Sequence, residues 1–138
     1  MQEEIGPTQK SSITIYMRKN GNVYFVPCRI NGISANFVFD TGAALISLSS
    51  GFANELLRQG KLTQNDYVGQ GNSIIADGRT QVVSIVNIKD VEIGGLHLTN
   101  VRASIKEQQD APLLLGLSAI EKLGKITIDG SKLIIHRE

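Results

Sequence analysis

Apolar and polar positions change period repeatedly along this chain, and each change marks out a short element. SITIYMRK, Ser12 to Lys19, alternates apolar and polar at period two, which predicts a half-buried strand. Asn20-Gly21 follows, then the apolar-rich NVYFVPCRI over 22–30, then Asn31-Gly32, then ISANFVFD over 33–40. Asn-Gly between apolar runs predicts a tight hairpin, because both central residues of a type I′ turn take φ > 0. The first forty residues therefore predict a meander of three strands that ends at Asp40.

LISLS, after the Thr41-Gly42-Ala43 turn, predicts another short strand. In GFANELLRQG, Phe52, Ala53, Leu56 and Leu57 recur at helical spacing, with Ser50 as the expected N-cap and Gly60 as the stop. NSIIADGRTQVVSIVNI predicts a hairpin with Asp77-Gly78 at its tip. DVEIGGLHLTNVRASIK predicts two or three strands around Gly94-Gly95. APLLLGLSAIEKLG then gives a buried run and a short helix, with Ser118 and Glu121 in capping-box spacing and Gly124 as terminator. KITID-GS-KLIIH closes the chain as a hairpin. Leu56, Leu57, Leu113 to Leu115, Ile120 and Leu123 are expected in the core. Residues 1–11 are polar and aperiodic and predict a loose arm ahead of one domain over 12–138. No duplication, low-complexity tract or linker interrupts it. The sum is an all-β domain, a closed barrel or sandwich of many short strands with two short helices.

Composition narrows the functional classes. The chain has 138 residues, 41% hydrophobic and 20% charged, which fits one folded domain. Fourteen basic and thirteen acidic residues leave a net charge of +1 and no basic block, so nothing points to nucleic acid or anionic lipid as a partner. No apolar run approaches the ~20 residues of a bilayer span, so this segment is expected to make no membrane contact itself. Cys28 is the only cysteine, which excludes an internal disulfide and a thiolate zinc site; in VYFVPCRI it reads as a small core residue.

Candidate chemistry reduces to one stretch. There is no G-x-S-x-G elbow, and His97 and His136 sit in strand patterns. Two scattered histidines and one cysteine give no metal-ligand spacing, and no glycine-rich loop has the context of a phosphate cradle, so neither metal nor cofactor is expected. What remains is FVFDTGAALISLS, Phe37 to Ser49, where an apolar run delivers Asp40 into a Thr-Gly-Ala turn. A carboxylate in such surroundings is expensive to desolvate unless paired, hydrogen-bonded or protonated. Asp-Thr-Gly alone reads more readily as an Asx-turn whose carboxylate satisfies backbone donors, since Asp-x-Gly turns are common.

Three ordered features resemble the retropepsin-like aspartic proteases, especially their bacterial single-domain members. They are FVFDTGA (37–43), the hairpin IIADGRT (74–80), and LLLGLSAIEKLG (113–124), and the likeness runs from about Ser12 to the end. It implies an acid-protease half: a closed barrel that pairs with a second copy. Peptide hydrolysis by this route uses two carboxylates sharing one proton and facing one water, as the aspartic-protease dyad does. This chain has no second Asp-Thr/Ser-Gly; Asp77-Gly78 and Asp129-Gly130 lack the middle residue. The resemblance thus implies a C2 homodimer with one Asp40 from each subunit, acting on peptide or protein substrates at an acidic optimum. It assigns catalysis to Asp40, bracing of the dyad to Thr41, close backbone approach to Gly42, and support of the active site to Ala43, which stands where some relatives have Ser. The flap and its substrate contacts fall to Ile75, Ala76, Asp77, Gly78 and Arg79.

Two departures stand out. The hairpin tip carries the charges of Asp77 and Arg79 in place of the glycine-rich viral flap. Leu117-Ser118 follows Gly116 where viral relatives have an Arg-Asn pair, so an ion pair that braces their dimers is missing. The relatives are often periplasmic or membrane-tethered, which implies that an anchor would lie outside this chain. Two other readings stay open: a non-catalytic dimeric module that binds a peptide or protein on the same fold, and a structural sheet domain with a plain Asx-turn at Asp40.

Overall fold

Turn chemistry fixes the strand pairing, and it does so in two versions. The computed structural model of the chain describes residues 11–74 and 77–137. Strands β3 (Val23–Ile30) and β4 (Ile33–Phe39) pair in register from Ile30↔Ile33. Asn31 and Gly32 between them have φ of 48° and 89°, as a type I′ turn requires. β7 (Thr80–Ile93) and β8 (Leu96–Ile105) are joined the same way through Gly94 and Gly95, at 59° and 84°. The first hairpin differs from expectation by one residue. β2 (Arg18–Asn20) pairs with β3 from Asn20↔Val23, so the loop is Gly21-Asn22, with positive φ at Gly21 alone.

SITIYMRK is not one strand. β1 (Ser12–Tyr16) belongs to a three-stranded sheet, order β1-β11-β10, with β10 (Ile126–Asp129) and β11 (Lys132–His136). Met17 lies between β1 and β2, is buried, and donates its N–H to Ser131 across 2.8 Å. The chain crosses from one sheet to the other at that point. Ser11, placed in the arm by its polarity, accepts from the Arg137 N–H at 2.9 Å. The rest of the arm, 1–10, lies outside the described residues.

The second sheet has eight strands. Besides those above it contains β5 (Ile46–Leu48), β6 (Tyr67–Ile74) and the two-residue β9 (Leu114–Leu115), in the order β2-β3-β4-β9-β5-β8-β7-β6. β3 also pairs with β7 at Arg29↔Glu92 and Ile30↔Val91, which returns the sheet on itself. The sheet ring encloses the core: Phe37, Ile30, Ile46, Leu48, Ile88, Ile93 and Leu115 are each fully buried. Period-two alternation accounts for this, since every second residue of a curved sheet faces inward. The β6–β7 hairpin is longer than its sequence pattern, reaching back to Tyr67. β7 runs unbroken into the segment expected to be a separate strand.

Both helices cap the ring, and both start one or more residues away from expectation. Helix α1 (Ser50–Arg58) has Ser49 as its N-cap, its hydroxyl accepting from the Phe52 N–H at 3.1 Å. Ser50 instead donates to the Glu107 carbonyl. Phe52 packs edge-on against Phe37, ring centroids 6.2 Å apart and planes at 89°. Leu56 is buried, but Leu57, expected in the core, is 48% exposed. Helix α2 (Leu117–Ile120) starts from Gly116, so the Ser118–Glu121 capping box does not form. Gly124, at φ 80°, ends the following 3₁₀ turn as expected.

Candidate active site

Asp40 follows directly on β4, and the turn after it is held from both sides. Its backbone N–H donates to the Leu115 carbonyl at 3.1 Å, and the Ala43 N–H donates back to the Asp40 carbonyl at 3.3 Å. β9 makes this possible by entering between the two strands that flank the turn. It runs parallel to β4 through Val38↔Leu114 and Phe39↔Leu115, and it meets β5 antiparallel at Ser47↔Leu114. Leu113 and Leu114 are half-buried and Leu115 fully buried, so only the last of the three is wholly core.

Beyond β9 the chain presses against the turn. The N–H groups of Leu117 and Ser118 donate to the carbonyls of Ala43 and Ala44 at 2.8 and 2.9 Å. Gly116 must be glycine here: a Cβ on it would lie 2.2 Å from the Leu45 carbonyl oxygen and 2.7 Å from that of Ala43. Ser118 uses its hydroxyl in a tertiary role, accepting from the Ile46 N–H at 2.9 Å and donating to the Arg102 carbonyl at 2.8 Å. That is why it does not cap its own helix.

The carboxylate itself is half-buried, and Thr41 and Gly42 are exposed. The Gly42 N–H donates to Asp40 Oδ1 at 2.9 Å, so the backbone, not the Thr41 hydroxyl, supplies this bond to the carboxylate within the chain. A Cβ on Gly42 would sit 3.1 Å from that oxygen, closer than nearly all ordinary contacts.

A cleft of ≈ 430 Å³ opens between this turn and the β6–β7 hairpin. Asp40, Gly42 and Ala43 form one side, Asn72, Ser73 and Ile74 the other. Ser47 of β5 and Ser104 and Lys106 at the end of β8 complete the wall, and none of them was marked by a sequence motif. The only trace in the sequence is polarity inside apolar runs, Ser47 in LISLS and Ser104 in VRASIK.

At the hairpin tip Asp77, Gly78 and Arg79 are exposed, and Ile75 and Ala76 lie outside the described residues. Arg79 donates its backbone N–H to Asp77 Oδ1 at 3.0 Å and its Nε to Oδ2 at 2.5 Å, so the two tip charges neutralise each other.

The other ionisable candidates have structural settings. Cys28 is buried, and desolvation pushes its thiol pKa up to about 12, which leaves it inert as a nucleophile. Asp66 is also buried, but Oδ2 accepts from the Thr63 N–H at 2.9 Å and Lys89 Nζ lies 3.8 Å from Oδ1. His136 is exposed and lies 2.7 Å from the Thr127 hydroxyl. No helix among the described residues is long and apolar enough to cross a membrane. No cluster of potential metal ligands occurs among the described residues.

A sheet ring with a two-residue strand threaded beside an Asp-Thr-Gly turn defines an acid-protease type of domain. Comparison with known proteins agrees: the family model described as "gag-polyprotein putative aspartyl protease" matches residues 26–122, well over half of the chain. The chain belongs to this retropepsin-like aspartic protease family. Its fold is similar to the crystal structure of a retropepsin-like aspartic protease from Rickettsia conorii. The TM-score is 0.70 at 24% identity, covering 94% of this chain and 92% of that one. No curated protein matches the sequence.

Proposed function

We propose that the protein is an aspartic endopeptidase whose active site forms when two copies of the chain bring their Asp40 side chains together on a two-fold axis. The observation that carries this reading is the position of Asp40. Its carboxylate is the only one that lines the cleft among the described residues, and the turn presenting it is exposed at Thr41 and Gly42. One carboxylate cannot act as base and acid in the same step, whereas two sharing a proton can. Symmetry supplies the second without a second motif in the chain.

In this reading one Asp40 takes a proton from the lytic water while its counterpart donates one to the substrate carbonyl. Gly42 holds the carboxylate in plane through its N–H and leaves room for the peptide. Thr41, exposed at the turn, faces the second copy and braces it. The β6–β7 hairpin serves as the flap and adds its backbone to an extended substrate by strand pairing. The self-paired Asp77 and Arg79 keep its tip uncharged overall.

Digestion of a peptide library between pH 3 and 7, with and without the transition-state mimic pepstatin, tests the assignment. Cleavage is expected at acidic pH, blocked by pepstatin and lost in Asp40→Asn and Asp40→Ala. Full activity in either variant would overturn it.

A further inference from the structure

The cleft beside Asp40 is not uniformly apolar, and its polar wall has a definite chemistry. Lys106 is the only cation that lines it among the described residues. The Lys106 backbone is pinned at the end of β8, its N–H donating to the Leu48 carbonyl at 2.9 Å, and the residue is half-buried. No carboxylate lies within ion-pair distance of its ammonium among the described residues. Beside it stand two hydroxyls. Ser47 and Ser104 are register partners in the parallel β5–β8 pair and are only 3% and 7% exposed. Ser104 Oγ makes one long bond, 3.5 Å to the Ile46 carbonyl, and Ser47 Oγ has no hydrogen-bond partner among the described residues. A buried hydroxyl without a partner is costly, and native proteins seldom leave one without a reason.

We infer that this wall is a specificity pocket for an acidic substrate side chain, with Lys106 as counter-ion and the Ser47 and Ser104 hydroxyls as further donors. The inference rests on the peptidase reading for its substrate and goes beyond it in naming the side chain. A bound peptide displaces water from the cleft. An aliphatic side chain there takes water from the Lys106 ammonium and offers no partner in return, whereas Asp or Glu replaces the lost water with a charge-assisted bond. Sites built on such polar groups discriminate strongly against the analogue that lacks the partner. In a C2 dimer the pocket occurs twice, related by the axis through the dyad. The preferred substrate therefore carries acidic residues on both sides of the bond that is cut.

Two measurements on the full chain test this. The first is the cleavage profile of a diverse peptide mixture at pH 5 to 6, where Asp and Glu side chains are ionised. The second is fluorescence-anisotropy binding of matched Glu, Gln and Lys peptides to Asp40→Asn, which reads recognition without catalysis. Glu peptides are expected to be favoured over Gln peptides by about tenfold or more, the discrimination one charge-assisted bond supplies. Lys106→Glu should invert the preference toward Lys peptides, and Lys106→Arg should retain it.

Cleavage without acidic preference overturns the pocket and leaves the peptidase intact. Glu-selective binding that depends on Lys106, with no cleavage by the wild type, supports the pocket and overturns the peptidase. Absence of both cleavage and charge-selective binding overturns both. If Lys106→Glu does not fold, a Glu-to-Gln ratio unchanged in Lys106→Met overturns the pocket by itself.

Discussion

The hydroxyl of Ser118 accepts the backbone N–H of Ile46 across 2.9 Å, joining residues 72 positions apart in the chain. Ile46 is fully buried, so this bond satisfies a donor that water does not reach. The same hydroxyl donates to Arg102, which ties α2 to β5 and β8 together. Ser118→Ala leaves the Ile46 N–H unpaired and is expected to cost about 1–3 kcal/mol. Urea unfolding checks it, with a lowered midpoint and unchanged slope.

Gly116→Ala is a harsher change of the same joint. The added methyl collides with two backbone carbonyls, and neither can swing aside as a side-chain end would. Overpacking here should exceed the usual cost of about 1–3 kcal/mol and move the Asp40 turn with it. Both stability and peptidase activity are expected to fall, whereas Ser118→Ala should lose mainly stability.

Gly42→Ala separates function from fold. Its φ is not in the left-handed region, so the backbone tolerates the substitution, but the methyl crowds Asp40 Oδ1. Cleavage should fall by an amount approaching that of Asp40→Asn, about 10²–10⁴-fold, the contribution of a positioned acid–base group. Thermal stability should change little. A variant with wild-type kcat/KM would remove Gly42 from the site.

A shared dyad gives a mixing signature. When wild-type chain is equilibrated with an equal amount of Asp40→Asn, only about a quarter of the dimers carry two aspartates by random pairing. Activity per wild-type chain should then fall to about half, and dilution of the wild type should lower specific activity. Activity per wild-type chain that stays constant in both experiments would exclude a site assembled from two copies.

His97 gives a pH signature away from the cleft. Its Nδ1 lies 2.8 Å from Asp90 Oδ1, and Nε2 lies 4.0 Å from Glu92. The hydrogen bond to Asp90, and then its charge, raise the imidazole pKa above its ordinary value of 6.5. Because folding raises this pKa, the protonated ring favours the folded state. That contribution is complete below the unfolded value and disappears as pH rises through the folded one. His97→Gln is therefore expected to lower Tm at pH 5 and to match the wild type at pH 9. An equal Tm gap at both pH values would refute the assignment.

Legibility in the sequence followed the range of the forces involved. Asn31-Gly32 and Gly94-Gly95 were readable because a two-residue turn states its own φ requirements. Period-two alternation alone did not separate β1 from β2, because the switch between sheets at Met17 leaves the pattern of SITIYMRK intact, and the two-residue β9 is too short to show a period. Helix starts were not readable, since Ser49 and Ser50 are equivalent as local capping residues, and Ser50 is engaged by a tertiary bond to the Glu107 carbonyl while Ser49 caps the helix. Ser118 misled for the same reason: its spacing to Glu121 is local, but its bonds are tertiary. Leu57 obeyed helical spacing yet faces solvent, because the ring accepts only one side of α1. Asp40 stood out through its motif, whereas Lys106 and Ser47 carry no motif at all. They reach the cleft because β8 and β5 run side by side.

The two-residue strand at Leu114–Leu115 also sets an order in time. Asp40 leaves the ribosome well before the strand that shapes its turn, because Leu114 and Leu115 lie far downstream of it in the chain. Until they arrive, nothing stands between β4 and β5, the Asp40 N–H lacks its Leu115 acceptor, and the turn has no backing. A nascent chain or a fragment that stops short of Leu114 thus holds the acid without the geometry.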